Sequence, residues 1–174
     1  MSVKKIGVLF VCLGNICRSP AAEGAFRFMA DINNLLGFFN IDSCGTANYH
    51  VGELPHETTR YVAESRGIIL NHRCRQFSVR DFDKFDYIIV MDKSNLYNVL
   101  RLTEKQEHKA KVFKLRKFDP LSPGEPDVPD PYSEPISSFE HVQDIVERCS
   151  ESLLQYIIKT HNIQIPPDFE DEDE

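Results

Sequence analysis

The sequence predicts an α/β domain: a twisted parallel sheet of four strands with helices on both faces. Three observations predict it. Gly7-Val8-Leu9-Phe10-Val11 and Tyr87-Ile88-Ile89-Val90-Met91 are almost continuously apolar, which suits strands covered on both faces. Strand-like and helix-like segments alternate without an internal repeat, as in a doubly wound sheet. The chain has 174 residues, 41% hydrophobic and 27% charged, enough for one core that buries roughly two-thirds of the unfolded surface.

The first strand is read over residues 5–11, central in the sheet. Ser19 is a good N-cap, Pro20 fits a first helical turn, and Phe26, Met29 and Ala30 continue an apolar face to about Asn33. Residues 37–44 read as a second strand, closed by Gly45-Thr46 and a polar loop carrying Tyr49 and His50. Pro55 opens a helix that ends near Gly67. The strand at 87–91 leads through Asp92 into a helix over 94–104, and Val112-Phe113-Lys114-Leu115 is a weaker fourth strand. From Lys117 to Pro135 the composition turns to Pro, Asp, Ser and Gly, a loop length usually kept for function. Ser137-Ser138-Phe139-Glu140 reads as a capping box, and Phe139, Val142, Ile145, Val146, Cys149, Leu153, Tyr156 and Ile157 recur at helical spacing. The domain is set at residues 1–163, and residues 164–174 as an acidic tail expected to be disordered.

Several classes are excluded. The formal charge of -7 opposes a nucleic-acid surface, which needs a basic patch. No run approaches the roughly 20 apolar residues of a membrane span, and the first residues show no secretory pattern. Five cysteines cannot all pair within one chain and have no metal-type spacing. A reducing, cytoplasmic location is expected, with no cofactor. The oligomeric state is not set by the sequence; a monomer is expected.

The chemistry concentrates where the first strand ends. Cys12-Leu13-Gly14-Asn15-Ile16-Cys17-Arg18-Ser19-Pro20 runs from a strand, through a short loop, into a helix N-terminus, with five residues between Cys12 and Arg18. That spacing lets backbone N-H groups, a thiolate and a guanidinium face one oxyanion. The helix N-terminus and Arg18 both favour a thiolate at Cys12, which would attack a bound phosphoryl group while the same donors hold the equatorial oxygens. No metal is needed. The loop lacks the lysine and glycine spacing of a Walker-type site.

Residues 11–20 resemble the signature of the low-molecular-weight protein tyrosine phosphatases, and the likeness extends to Asp42-Ser43-Cys44-Gly45-Thr46, Val90-Met91-Asp92 and Asp130-Pro131-Tyr132. The resemblance implies hydrolysis of phosphotyrosine in proteins, and of small aryl phosphates, through a phosphocysteine. It favours Asp130 as general acid and base over Asp119 and Asp127. It also implies a network of Asn15, Ser19, Ser43 and His72 that fixes the loop, and a slot walled by Tyr49 and Tyr132 over Leu13 and Ile16. Gly14 and Cys17 complete the loop, and Cys17 is placed to trap an oxidised Cys12 as a disulfide.

Two departures are visible: Pro55-His56-Glu57-Thr58 stands where many relatives carry Pro-Asp-x-Arg, and Tyr132-Ser133 where animal forms pair tyrosines. An arsenate reductase on the same scaffold is the main alternative, with Cys74 and Cys149 as further thiols. A non-catalytic phosphate-binding module is the third reading.

Overall fold

The computed structural model describes residues 4–167. The acidic residues from Asp168 onward, expected to be disordered, lie outside the described residues. Four strands, β1 (Ile6–Cys12), β2 (Phe39–Gly45), β3 (Tyr87–Val90) and β4 (Val112–Lys114), form one parallel sheet in the order β2-β1-β3-β4. The apolar runs dictate this arrangement, since β1 and β3 are buried along nearly their whole length and can only lie centrally.

Alternate residues of β1 feed two cores. Val8, Phe10 and Cys12 pack with α1 (Arg18–Ile32) and α6 (Ile136–Thr160), through Phe26, Ile145 and Leu153. Leu9 and Val11 pack on the opposite face against Phe82 of α3 (Asp81–Lys84) and Leu96 and Val99 of α4 (Lys93–Leu100). The remaining helices are α2 (Glu57–Ser65) and α5 (Gln106–Lys109). A smaller cluster of Ile16, Cys17, Val62, Cys74 and Phe139 lies under the loop that follows β1.

The expected elements are present, with shifted ends. Ser19 is not the N-cap of α1: Cys17 takes that position without a side-chain bond, because the Ser19 hydroxyl is turned to Cys12. The capping box at Ser137-Ser138 is replaced by Pro135, whose carbonyl accepts the Ser138 N-H at 2.9 Å and starts the helix earlier. Residues 36–38 form a 3-10 turn before β2. The turn after Pro55 is capped by His56, whose Nδ1 accepts the Thr58 N-H at 3.1 Å, so α2 starts at Glu57. The helix after Asp92 stops at Leu100, short of 104. Tyr156 is not a core residue; it is 44% exposed and packs its ring on Phe118 at the sheet margin.

Candidate active site

β1 and β2 end together at the carboxyl edge, Cys12 opposite Gly45, with Val90 of β3 beside Val11. The chain leaves β1 for neighbours on opposite sides, so the loop after Cys12 opens at the topological switch point, where such sheets bind ligands.

The direction of that loop's peptides follows from its hydrogen bonds. The carbonyls of Cys12, Leu13 and Ile16 accept the N-H groups of Thr46, Ala47 and His56 at 2.9, 2.9 and 2.7 Å, and that of Asn15 accepts the Cys74 thiol at 2.8 Å. All four point outward. In a trans peptide the following N-H points the other way, so the amides of Leu13, Gly14, Ile16 and Cys17 face the concave side, as an anion-binding nest requires.

Asn15 makes the curl possible. It sits in the left-handed region, φ 58°, and is fully buried, a conformation asparagine tolerates better than most residues. Its side-chain capacity is filled: Nδ2 donates to Ser19 Oγ (2.8 Å) and Ser43 Oγ (3.0 Å), and Oδ1 accepts from the Arg75 N-H (3.0 Å) and His72 Nε2 (2.8 Å). Because Ser19 already accepts from Asn15, its one proton is left for two acceptors, Cys12 Sγ at 3.0 Å and the Cys44 carbonyl at 3.3 Å, of which Cys12 is the nearer. The expected network of Asn15, Ser19, Ser43 and His72 is therefore assembled in space. Gly45 is part of the same construction, since a Cβ there would lie 2.6 Å from the Leu13 carbonyl oxygen.

Arg18 is buried, and its Nη1 donates to Asp92 Oδ2 (2.6 Å) and the Val128 carbonyl (3.2 Å), with Nη2 3.7 Å from Asp130 Oδ2. Burial works against its charge, but Cys12 and Asp92 outweigh burial and raise its pKa. Asp92 divides its oxygens, Oδ1 capping α4 at Asn95 and Oδ2 holding Arg18. From the sequence, Asp92 leads into a helix and belongs to a segment of family likeness, with no role assigned at Arg18. Its place directly after β3, beside β1, was the available signal.

The late loop separates its three carboxylates. Asp119 has no exposed side-chain surface and is gripped by Arg148 and Arg116 at 2.9 and 3.0 Å. Burial pushes its pKa up, yet hydrogen bonds from Arg148, the Leu121 N-H and Arg116 pull it down to about 2. Asp127 pairs with Lys114 at 2.7 Å and accepts the Lys93 N-H. Asp130 alone reaches the cavity, a space of about 320 Å³ lined by Cys12, Leu13, Ile16, Arg18, Asp130 and the two tyrosines, Tyr49 and Tyr132, among others. Gly14, Cys17 and His50 also line it; His50 was not among the predicted contacts.

The family model described as low molecular weight phosphotyrosine protein phosphatase matches residues 7–163. This chain belongs to that family. A rat low molecular weight phosphotyrosine protein phosphatase is 40% identical over 88% of this chain and 95% of its own length. A fission yeast (Schizosaccharomyces pombe) protein of the same description is 47% identical over 74% and 82%. Among solved structures, the protein tyrosine phosphatase of Entamoeba histolytica, with Hepes in its active site, superposes with a TM-score of 0.86 at 36% identity, over 90% of this chain and 99% of that one.

Within the family the two departures now have positions. His56 caps α2, stacks on Phe139 with ring centroids 5.0 Å apart, and meets the edge of Tyr132 at 5.9 Å. Ser133 takes a left-handed turn, φ 65°, beside Tyr132. Cys17 is buried, and that burial, outweighing the opposing influence of Thr59, pushes its thiol up to about 12.

Proposed function

We propose that this protein hydrolyses phosphotyrosine, in proteins and in small aryl phosphates, by way of a phosphocysteine, and that Cys12, Arg18 and Asp130 carry the reaction. The observation that carries the reading is the single cavity onto which a serine-bonded thiol, an ion-paired guanidinium and one accessible carboxylate open together.

The substrate phosphoryl group would sit among the inward amides of residues 13, 14, 16 and 17, with Arg18 on its equatorial oxygens. The Cys12 thiolate attacks phosphorus in line, and Asp130 gives its proton to the departing phenolate. Asp130 then takes a proton from the water that attacks phosphocysteine, and Ser19 stabilises Cys12 as it leaves as thiolate. Tyr49 and Tyr132, 71% and 53% exposed, wall the substrate ring, over Leu13 and Ile16. Each developing charge has a protein partner, so the scheme runs without a metal ion.

Further observations support the setting. Among the described residues no helix is long and apolar enough to cross a membrane. A reducing, cytoplasmic location is proposed, in which the five cysteines stay free thiols, and a monomer suffices for the proposed reaction, which draws its groups from this chain. The reductase alternative is weaker. Neither Cys74, whose thiol is held on the Asn15 carbonyl, nor Cys149, buried in the core, lines the cavity that Cys12 and Cys17 share.

Cys17 is proposed as the redox partner of Cys12. Peroxide converts the Cys12 thiolate to a sulfenic acid, releasing hydroxide, and the Cys17 thiol displaces water from it to form a disulfide that a dithiol reduces. Cys17→Ser should then recover less activity than the parent after peroxide followed by dithiothreitol; equal recovery would remove this role.

The test of the main reading is hydrolysis of an aryl phosphate. Cys12→Ser should lower kcat by at least about 10³-fold, since nucleophile loss removes the covalent route. Undiminished turnover would overturn the mechanism.

A further inference from the structure

Two clefts lead off the catalytic cavity and share no lining residue with each other. One passes Ile16 and Tyr132 and is lined by His50, Glu53, His56 and Glu57 among others. The other passes Leu13 and Tyr49, which also line the catalytic cavity, and runs on to Val79, Asn98, Arg101 and Leu102. This second cleft measures about 590 Å³, against about 320 Å³ for the cavity itself. A small aryl phosphate seated on the anion loop occupies only the smaller space. The larger one is reached by a substrate whose aromatic ring carries a further chain.

The second cleft is built from four segments: the anion loop, the loop after β2, the stretch before α3 and the end of α4. Hydrogen bonds hold its floor in place. The Ala47 N-H donates to the Leu13 carbonyl at 2.9 Å, the Phe77 N-H to the Gly45 carbonyl at 2.7 Å, and Gln76 Nε2 to the Thr46 carbonyl at 3.1 Å. Phe77 is buried, its ring edge-on to Phe82 with centroids 5.2 Å apart. The surface is thus formed before a ligand arrives, which reduces the ordering cost of binding. Around it Leu13, Tyr49, Val79 and Leu102 all stand exposed. Four large apolar side chains on one depression form a patch, whereas single exposed ones need no explanation.

Charge sets the two clefts apart. Among the residues that line the second cleft Arg101 alone is charged, in a chain whose formal charge is -7. It caps the C-terminus of α4, and its guanidinium carbon lies 5.9 Å from the centroid of the Tyr97 ring. Stacking of this kind uses a face of the guanidinium and leaves its N-H edge for a ligand. Arg18, Arg27, Arg66, Arg75, Arg116 and Arg148 each have a carboxylate partner. Arg101 has none among the described residues. In the first cleft Glu53 pairs with His50 at 2.6 Å, and Glu57 adds a second carboxylate. A peptide laid across the mouth therefore meets carboxylates past Tyr132 and an unpaired guanidinium past Tyr49.

We propose that the cleft past Tyr49 binds the stretch of a phosphotyrosyl substrate next to the phosphotyrosine, taking a carboxylate side chain on Arg101 and an apolar one on Leu13, Val79 and Leu102. This rests on the phosphotyrosine reading of the catalytic cavity and deepens it. Arg101 is then a specificity-determining residue that stands outside the reaction itself. Its ion pair with the substrate lies at the surface, where such a pair contributes a factor of up to about five and weakens as salt is added.

The test uses the full chain and phosphotyrosyl peptides that are alike except for Glu or Lys at each of three positions on either side of the phosphotyrosine. Within each enzyme the ratio of kcat/KM on the Glu peptide to that on the Lys peptide is read, so any change in overall turnover cancels. In the parent the ratio should reach about five- to tenfold at one or more positions on one side, and fall toward one in roughly half-molar salt. Arg101→Gln should bring it below about twofold, and Arg101→Glu should invert it. Val79→Ser, checked for folding by circular dichroism, should lower the preference for Leu over Ala beside that position by about threefold. Hydrolysis of p-nitrophenyl phosphate reports on the catalytic reading separately. If it proceeds while the Glu-to-Lys ratio is near one at every position, or while the ratio survives Arg101→Gln unchanged, the cleft proposal alone is overturned. If neither the aryl phosphate nor any peptide is turned over, the catalytic reading fails and this proposal with it. A parent that dimerises in sedimentation and dissociates on Arg101→Glu would assign the cleft to a second copy of the chain and likewise overturn the proposal.

Discussion

Residues 12–19 and residues 117–135 face one cavity and are held by different physics. The first segment is fixed from within: Asn15 and Ser19 are fully buried, every side-chain polar position of Asn15 is used, and the outward carbonyls are pinned by residues 46, 47, 56 and 74. The second is fixed from its flanks, by Lys114 and Arg116 on β4 and its following turn and by Arg148 on α6, while Asp130 itself keeps 47% of its side-chain surface. The nucleophile and anion donors thus sit in a frame that cannot shift without breaking buried hydrogen bonds. Asp130, the proposed acid, sits on a loop whose anchors lie elsewhere and whose tip remains open to water.

The contrast makes activity and stability separable in the late loop and inseparable in the early one. The largest separation is expected at Asp130. Asp130→Asn keeps the shape and the acceptor for the Tyr132 N-H, 3.1 Å from Oδ1, but cannot deliver a proton. It should lower kcat on an aryl phosphate about 10²–10⁴-fold and remove one limb of the pH-rate profile, with Tm nearly unchanged. A smaller loss is expected on substrates whose leaving group needs no proton. Equal losses on good and poor leaving groups would reassign the acid.

The same perturbation cannot be made cleanly in the early loop. Gly45→Ala places a methyl 2.6 Å from the Leu13 carbonyl oxygen and 3.1 Å from the Asn15 nitrogen, so the backbone that curls around the anion must give way. A loss of about 1–3 kcal/mol in stability is expected from overpacking, together with about 10–100-fold in kcat as the loop amides are displaced. Urea unfolding and kinetics on one preparation would check both. A variant destabilised with unchanged kcat would show that the loop and the end of β2 are less coupled than the contacts imply.

The two loops also differed in what the sequence could reveal. Local signals carried the early one: an apolar strand stopping at Cys12, a residue tolerant of left-handed backbone, then Arg18 before a helix. Those cues fix the fold's switch point and half the site, because the chemistry is compressed into consecutive residues. The support around it was less legible. Asp92, Arg75 and Cys74 act on the loop from distant elements, and only β3 lying beside β1 brings Asp92 to Arg18. Helix ends were misread where a side chain had another partner, as with Ser19, whose hydroxyl goes to Cys12 in place of capping α1. In the late loop composition treats three aspartates alike and only the family resemblance favours Asp130; the physical difference lies in tertiary ion pairs that hold Asp119 and Asp127 away from the cavity.

Asp119 gives the smallest of the expected effects and the sharpest check on that distinction. Its side chain is fully buried between Arg148 and Arg116, and its pKa of about 2 lies below the unfolded value of about 3.9. A depressed folded pKa contributes stability that is present above the unfolded pKa and is lost as pH falls through the folded one. Asp119 should thus contribute roughly 2.5 kcal/mol above pH ~4, disappearing between about pH 4 and pH 2. Asp119→Asn should lower stability at neutral pH by at least that amount and flatten the acid limb of the stability curve, measured by urea unfolding from pH 7 to pH 2. Its kcat should stay within about twofold of the parent, since Asp119 lies outside the residues that line the cavity. A loss of turnover comparable to that of Asp130→Asn, with a shifted pH-rate profile, would mean that the buried ion pair opens during catalysis and that the assignment of the acid must move to Asp119.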